Sequence, residues 1–180
     1  ATAYFGSGWD ECMVLTADGW GEDGSSTIWA GKQGKLFPRS MSYTFDSLGY
    51  FYGSITKSLG FVPHRHEGKV LGLAAHRQAP KSYGPIRSMI DYDSREKRFV
   101  GRMEAGMYIP QFDNPFLKEF VKNYPREDIA AAAQQSVEEV VCDCVADLDG
   151  AQFRIALAGG LFANVKLNQR VAEVEKVREV

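Results

Sequence analysis

Four short apolar runs have the length and composition of buried strands. They cover residues 12–18, 26–30, 35–37 and 153–158. Each run is too short for a stable helix and is bounded by glycine or polar residues, which predicts strands. A glycine-rich loop follows the first run and a polar turn follows the second. These breaks predict that the first three runs form three separate strands.

Longer segments carry apolar residues at helical spacing, over 46–59, 67–75 and 125–148. The buried stripe predicted for the longest segment contains Ile129, Ala133, Val137, Val140, Val141, Cys144 and Leu148. In the first segment, Asp46 suits an N-cap and Gly60 a stop. Its aromatic residues, Phe51 and Tyr52 among them, are interpreted as core.

The remaining segments give weaker patterns. Residues 86–92 and 98–103 flank a charged stretch and predict a hairpin. The aromatic-rich segment 107–123 predicts a short helix over 115–123, and residues 165–180 predict a final helix. No internal repeat or sharp linker is visible.

The strand at 153–158 leads into a glycine pair, Gly159 and Gly160. Glycine adopts backbone angles that a Cβ forbids and lets a ligand approach the main chain. The first turn of a helix starting there would direct free N–H groups at a phosphate. The alternative, a tight strand-to-helix connection, is equally compatible with a single glycine pair.

Asp18 closes the first apolar run and is followed by Gly19. A carboxylate fixed at a strand end beside glycines suits a metal or phosphate site. The commoner role of an aspartate before glycine is to accept turn hydrogen bonds, and the local pattern leaves that reading open.

Glu67 and Lys69 begin a helix that contains two glycines, which another backbone can approach closely. Either side chain could hold ribose hydroxyls or phosphate oxygens, and a solvated helix end is the alternative. His64 and His66 lie on the preceding loop without a third ligand nearby, so we interpret them as solvated rather than metal-binding.

Composition narrows the function only slightly. The 180 residues are 44% hydrophobic and 24% charged, with a net charge of -2. These values give no reason to expect a nucleic-acid or membrane partner. Three cysteines without framework spacing favour a reducing, cytoplasmic setting. The first residue is not Met and the last ten continue a helical pattern, so we expect a piece of a longer protein.

Three stretches together resemble a known family: 10–22 (DECMVLTADGWGE), 67–74 (EGKVLGLA) and 157–168 (LAGGLFANVKLN). In this order they are similar to the O-carbamoyltransferases of the nodulation protein U (NodU) and cephamycin/tobramycin carbamoylation type. The third stretch is the most specific, and the resemblance covers almost the whole chain.

The resemblance implies an α/β fold, with a mixed sheet flanked by helices in a lobe of the actin, sugar-kinase and heat-shock ATPase type. Residues 1–180 would form part of a nucleotide-binding lobe like that of the threonylcarbamoyl-adenosine synthesis ATPases, without the C-terminal domain. It also implies chemistry: carbamoyl phosphate and ATP give a carbamoyl-adenylate, whose carbamoyl group passes to a hydroxyl of a sugar or small molecule. A divalent metal ion, iron or magnesium, and a homodimer are compatible with the family.

The family's roles carry over residue by residue. Asp18 matches an acid that helps hold the metal. Gly159, Gly160 and Asn164 match the adenosine-side motif, and Glu67 and Lys69 match a helix start that lines the nucleotide. We therefore expect Asp18 and Gly160 to enclose one triphosphate pocket.

The family's metal-binding histidines would precede Ala1 and a further metal-binding acid would follow Val180, so we expect the chain alone to be inactive. Other readings stay open. One is another enzyme of the same superfamily, such as a sugar kinase or the threonylcarbamoyl-tRNA synthesis ATPase, although the charge of -2 disfavours tRNA. Another is a non-catalytic nucleotide-binding fragment.

Overall fold

The computed structural model describes residues 1–21, 24–107, 110 and 113–180. The strands are β1 (Glu11–Ala17), β2 (Ser26–Lys32), β3 (Lys35–Ser42), β4 (Ile90–Asp93), β5 (Arg98–Gly101), β6 (Phe153–Ala158) and β7 (Val177–Glu179). The α-helices are α1 (Thr2–Ser7), α2 (Leu48–Ser58), α3 (Glu67–Ala74), α4 (Tyr83–Arg87), α5 (Pro115–Phe120), α6 (Arg126–Ala146) and α7 (Val165–Ala172). Glu22 of the first motif and four positions of the aromatic-rich segment (108, 109, 111 and 112) lie outside the described residues.

Within the described part of the chain, five strands form the main sheet in the order β3-β2-β1-β6-β7. The first three pair antiparallel, whereas β6 runs parallel to both β1 and β7. The sheet is therefore mixed and flanked by helices, which confirms the predicted α/β fold class. Strands β4 and β5 form a separate antiparallel hairpin.

The parallel pairing of β1 with β6 joins segments far apart in sequence. Met13 lies opposite Ile155, and Thr16 lies opposite Ala158. Because parallel strands end at the same edge of a sheet, the residues that follow β1 and β6 emerge side by side. This edge carries Asp18 and the glycine pair.

Helix α6 forms the centre of the core on one face of the sheet. The seven residues of its predicted stripe, Ile129, Ala133, Val137, Val140, Val141, Cys144 and Leu148, are at most 4% exposed. Helices α2, α3 and α4 pack against α6. Each fully buried Val, Leu or Ile side chain contributes about 1.5–3 kcal/mol to the free energy of unfolding, so this stripe is a major source of stability. None of the described helices is long and apolar enough to cross a lipid bilayer.

The other face of the sheet is covered by α1, which the sequence pattern did not predict. Tyr4 is 3% exposed and packs with Cys12, Val14 and Ala156. Its hydroxyl donates a hydrogen bond to the carbonyl oxygen of Asp10 at 2.9 Å. A six-residue helix is too short to show a clear period, and one buried tyrosine holds it in place.

The predicted N-cap of α2 is wrong by one residue. Ser47 is the N-cap, and its Oγ accepts a hydrogen bond from the Tyr50 N–H at 3.0 Å. Asp46 instead accepts hydrogen bonds from the Gly101 N–H and the Arg98 guanidinium, both at 2.9 Å. The Asp46 carboxylate thus binds β5 instead of capping α2, the role that the local sequence had predicted.

Two other predicted elements also have different bounds. The helix expected over 165–180 ends at Ala172, because residues 177–179 pair with β6 as strand β7. The first arm of the hairpin begins at Ile90 rather than at residue 86, because residues 83–87 form α4. In both places tertiary pairing and burial override the local pattern.

A buried carboxylate joins α6 to the segment that follows α3. Asp128 is 1% exposed and accepts hydrogen bonds from the N–H groups of Lys81 and Ser82, at 3.0 and 2.9 Å, and from Arg77 Nε at 3.1 Å. Burial opposes its ionisation, but the hydrogen bonds from Ser82 and Lys81 and the charge of Arg77 prevail. They hold the pKa of Asp128 below its ordinary value.

We expect Asp128→Asn to lower the free energy of unfolding by about 2 kcal/mol at pH 7, because a buried donor loses its charged acceptor. The depressed pKa means that the carboxylate's contribution is fully present above the unfolded-state pKa of about 3.9. It is lost as the pH falls through the lower folded-state pKa. Urea unfolding at pH 7 and at acid pH measures both effects.

Glu119→Gln is the matched control for Asp128→Asn. Glu119 pairs with Lys122 at 2.6 Å, but its side chain is 72% exposed, so we expect a change within about 0.5 kcal/mol. An equal loss in the two variants would contradict this account of the hydrogen bonds to Asp128. So would a loss for Asp128→Asn that persists undiminished in acid.

Candidate functional site

A cleft of about 490 Å³ opens at the sheet edge where β1 and β6 end. Its lining includes Asp18, Gly160, Asn164 and Glu67, four of the six residues that the sequence assigned to a site. They come from three separate segments of the chain, at residue 18, at residue 67 and at residues 160–164. Clefts of roughly 300–1,000 Å³ are typical of small-molecule sites, so this is the candidate functional site.

Asp18 is held in place through its backbone, which leaves its exposed carboxylate available. Its N–H donates to the Ser25 carbonyl at 2.8 Å, and its own carbonyl accepts from Ser47 Oγ at 2.9 Å. A Cβ at Gly49 would lie 2.8 Å from the Asp18 carbonyl, so α2 can approach this closely only with glycine there. The carboxylate's Oδ1 accepts the Gly19 N–H at 3.0 Å.

The two glycines of the pair do different things. Gly159 has φ of +101°, and a Cβ there would lie 2.2 Å from the Ala17 carbonyl oxygen. Gly159 is therefore packed against β1 and is not among the described residues that line the cleft. Gly160 does line the cleft, and a Cβ there would lie 3.1 Å from Asp18 Oδ1. The expected meeting of Asp18 and Gly160 is confirmed.

The glycine pair does not open directly into an α-helix. A 3-10 turn covers Gly160–Ala163, and α7 begins at Val165. Asn164 is the N-cap of α7, where its Oδ1 accepts the Leu167 N–H at 3.1 Å. The α-helix therefore begins at Val165, as predicted for residues 165–180, and the turn that starts at the glycine pair is a 3-10 turn rather than the first turn of that helix.

Glu67 and Lys69 point in different directions from the start of α3. Glu67 lines the cleft, and its Oε1 accepts a hydrogen bond from the His64 N–H at 2.6 Å. Lys69 is absent from the described lining, and its Nζ lies 5.8 Å from the centre of the Phe61 ring. The nucleotide role assigned to Lys69 stays a prediction.

Several lining residues were not identified from the sequence. Tyr52 was interpreted as core and is indeed 3% exposed, yet it also borders the cleft. Its pKa is raised by burial and then by the charges of Glu138 and Glu67, so its hydroxyl stays protonated. His64 and Arg65, from a loop interpreted as solvated, border the cleft as well. These residues come together with Asp18 only in the folded chain, and no local sequence pattern encodes that proximity.

The cleft does not contain a complete metal site made of described residues. Among those residues, no three His, Cys, Asp or Glu side chains are grouped closely enough to hold a metal ion. Asp18 offers a single carboxylate, one oxygen of which already accepts the Gly19 N–H. The donor set of the described chain therefore does not by itself fit the metal that the resemblance implies.

Comparison with known proteins agrees with the geometry. The family profile described as "Carbamoyltransferase N-terminus" matches residues 1–180. The chain belongs to this family. The resemblance drawn from the three motifs is thereby confirmed. The mixed sheet, with glycines and an acid at the ends of neighbouring parallel strands, is the architecture that this carbamoyltransferase segment adopts.

Three individual relatives are similar to most of this chain. An uncharacterized protein of Methanocaldococcus jannaschii is 31% identical, over 93% of this chain and 33% of its own length. Nodulation protein NolNO of Sinorhizobium fredii is 25% identical, over 94% of this chain and 25% of its own. A tRNA N6-adenosine threonylcarbamoyltransferase of Thermotoga neapolitana is 30% identical, over 73% and 38%. The chain thus spans between 25% and 38% of the length of these relatives.

We expect Gly159→Ala to destabilise this carbamoyltransferase segment by about 3 kcal/mol or more. The substitution adds a backbone penalty at positive φ to a collision with the Ala17 carbonyl. Gly150→Ala is the control: Gly150 has φ of +108°, but a Cβ there would meet only Phe153, at 3.8 Å. It should lose about 1–2 kcal/mol, the backbone penalty alone. Chemical denaturation measures both, and equal losses would show that the collision is relieved.

Proposed function

We propose that the protein carrying this chain is an O-carbamoyltransferase and that the cleft binds ATP. The observation that carries the proposal is the meeting of Asp18 and Gly160 at the end of two parallel strands, with a Cβ position 3.1 Å from a carboxylate oxygen. Membership of the carbamoyltransferase N-terminus family supports the class of reaction. The name of the Thermotoga neapolitana relative, a threonylcarbamoyltransferase, supports carbamoyl-type transfer in general.

The lining favours one orientation of the nucleotide. Gly160 exposes main chain next to Asp18, which suits the phosphate end. Arg65 also lines the cleft, and we propose that its guanidinium pairs with phosphate. Asn164 and Leu161 also line the cleft, and we place the adenosine beside them. Glu67 suits the ribose hydroxyls, since an ionised carboxylate accepts hydrogen bonds. Lys69 would reach phosphate only by leaving Phe61.

The proposed reaction has two stages. Carbamoyl phosphate, ATP and one water give a carbamoyl-adenylate, pyrophosphate and inorganic phosphate. The hydroxyl of a sugar or small molecule then attacks the carbamoyl carbon, forms an O-carbamate and releases AMP. Both stages gather negative charge on phosphoryl oxygens, so donors and cations fixed in the cleft would stabilise the transition states.

We also propose that Asp18 supplies one ligand to a divalent metal ion, iron or magnesium. Because the described residues do not complete such a site, its other ligands would have to come from outside them. When bound, such an ion would neutralise phosphoryl charge. None of the roles given above to Gly160, Asn164 or Glu67 depends on it.

A second candidate is threonylcarbamoyl transfer to tRNA, as in the Thermotoga neapolitana relative. The net charge of -2 disfavours a tRNA partner for this segment. A product assay that offers the full-length protein both tRNA and small hydroxyl acceptors separates the two. A third reading, nucleotide binding without turnover, predicts ATP binding and no product with either acceptor.

The test is an assay of carbamoyl transfer by the full-length protein. The reaction is monitored through the release of AMP and pyrophosphate from ATP. We expect turnover that requires both ATP and carbamoyl phosphate. Asp18→Asn should lower that turnover by about 100-fold or more and change its dependence on added divalent metal. The exposed Asp149, which lies outside the cleft lining, provides the control Asp149→Asn with unchanged turnover.

Two outcomes would contradict the proposal. If Asp18→Asn transfers carbamoyl groups with unchanged metal dependence, the role of Asp18 is wrong. If the wild type releases no AMP with any hydroxyl acceptor, O-carbamoyl transfer is wrong. The 180-residue chain assayed alone should be inactive, and appreciable turnover by it would refute the view that other segments complete the site.

A further inference from the structure

Behind the cleft, α6 carries a buried amide that contacts two residues of the cleft wall. Gln134 is 6% exposed and does not itself border the cleft. Its Oε1 accepts hydrogen bonds from the Tyr52 hydroxyl at 2.9 Å and from Asn164 Nδ2 at 2.8 Å. Tyr52 and Asn164 both line the cleft, and they come from α2 and from the start of α7. A single side chain therefore links two walls of the site.

The orientation of this amide is fixed from its other end. Gln134 Nε2 donates to Glu138 Oε1 at 2.7 Å and makes a longer bond, 3.3 Å, to Asn164 Oδ1. Turning the amide over would set Oε1 against the Glu138 carboxylate and Nε2 against the Asn164 NH₂ group, and both contacts would be repulsive. Glu138 thus keeps the oxygen of Gln134 directed at Tyr52 and Asn164.

Asn164 depends on this contact more than its capping role implies. Its Oδ1 accepts the Leu167 N–H at 3.1 Å, a bond that fixes the start of α7. That bond alone leaves the rest of the side chain free to rotate about it. The second anchor, from Nδ2 to Gln134, fixes the plane of the amide that the cleft meets.

We infer that Gln134 is a positioning residue for the nucleotide, acting through Asn164 and Tyr52 without touching the ligand. The inference rests on the proposed function, because it assumes that ATP occupies the cleft and contacts Asn164. It adds a residue that neither the motifs nor the cleft lining indicates. Loss of Gln134 should weaken the binding of ATP more than it slows the chemical step.

The experiment uses the full-length protein and the near-isosteric variant Gln134→Met, with ATP titrated by calorimetry and steady-state kinetics. We expect about tenfold weaker ATP binding and a similar rise in the KM for ATP, because loss of one or two buried hydrogen bonds has this size. The kcat should fall by less than about threefold. Melting temperatures establish that the assays are run on folded protein.

The neighbouring Gln135 offers a matched control. Its Nε2 donates to Glu139 Oε1 at 3.0 Å, the same i to i+4 bond that Gln134 makes to Glu138, but Gln135 makes no hydrogen bond to a described residue of the cleft lining. Gln135→Met should therefore leave the ATP affinity unchanged. If it weakens ATP binding as much as Gln134→Met does, the effect is general to α6 and the inference is wrong.

A double-mutant cycle with Asn164→Ala keeps the inference falsifiable even if Gln134→Met is less stable. If Gln134 acts through Asn164, most of its effect on ATP affinity should vanish in the Asn164→Ala background. A full, additive loss there would overturn the inference. So would wild-type ATP affinity in Gln134→Met. If wild-type protein does not bind ATP, the proposed function fails and the inference fails with it, which is a different result from an unaltered variant.

Discussion

The parallel pairing of β1 with β6 is the constraint on which the candidate site depends. The two strands are separated by more than a hundred residues, including the hairpin and most of the helices, yet they end at the same edge with Thr16 opposite Ala158. A register shift of one residue would reverse the faces of every side chain on a strand and move Asp18 away from Gly160. The close contact of Gly159 with the Ala17 carbonyl fixes the register at the point where it matters.

The cleft is bordered by two kinds of structure. On the sheet side, Gly19 and Gly160 follow β1 and β6 and border the cleft without side chains, so a ligand can approach the main chain closely. On the helix side, Glu67 and Asn164 bring side chains whose positions depend on hydrogen bonds to their neighbours. The absence of glycine side chains shapes the first side. Hydrogen bonds, some of which reach α6, position the side chains of the second.

Local pattern predicted the parts of the fold that local forces determine. The stripe on α6 is periodic over twenty residues and buried throughout, and the strands that contribute Asp18 and the glycine pair are short apolar runs. The pattern missed α1 and β7, which are brief and depend on packing or pairing with strands distant in the sequence. It also missed Tyr52 and His64 at the cleft, because their proximity to Asp18 depends on packing between distant segments. Lys69 illustrates the reverse: its place at a helix start is as predicted, but its side chain lies over Phe61.

The division of labour within the glycine pair bears on how sequences of this family evolve. A side chain at Gly159 would collide with the Ala17 carbonyl oxygen, so this glycine favours the pairing of the strands whatever reaction the site performs. A descendant that lost the proposed reaction but still folded would retain Gly159 and the helix cap Asn164, whereas the exposed carboxylate of Asp18 would be free to change. Retention of the first glycine would therefore report only that the fold persists, and replacement of the acid would be the sign that the proposed reaction had been lost.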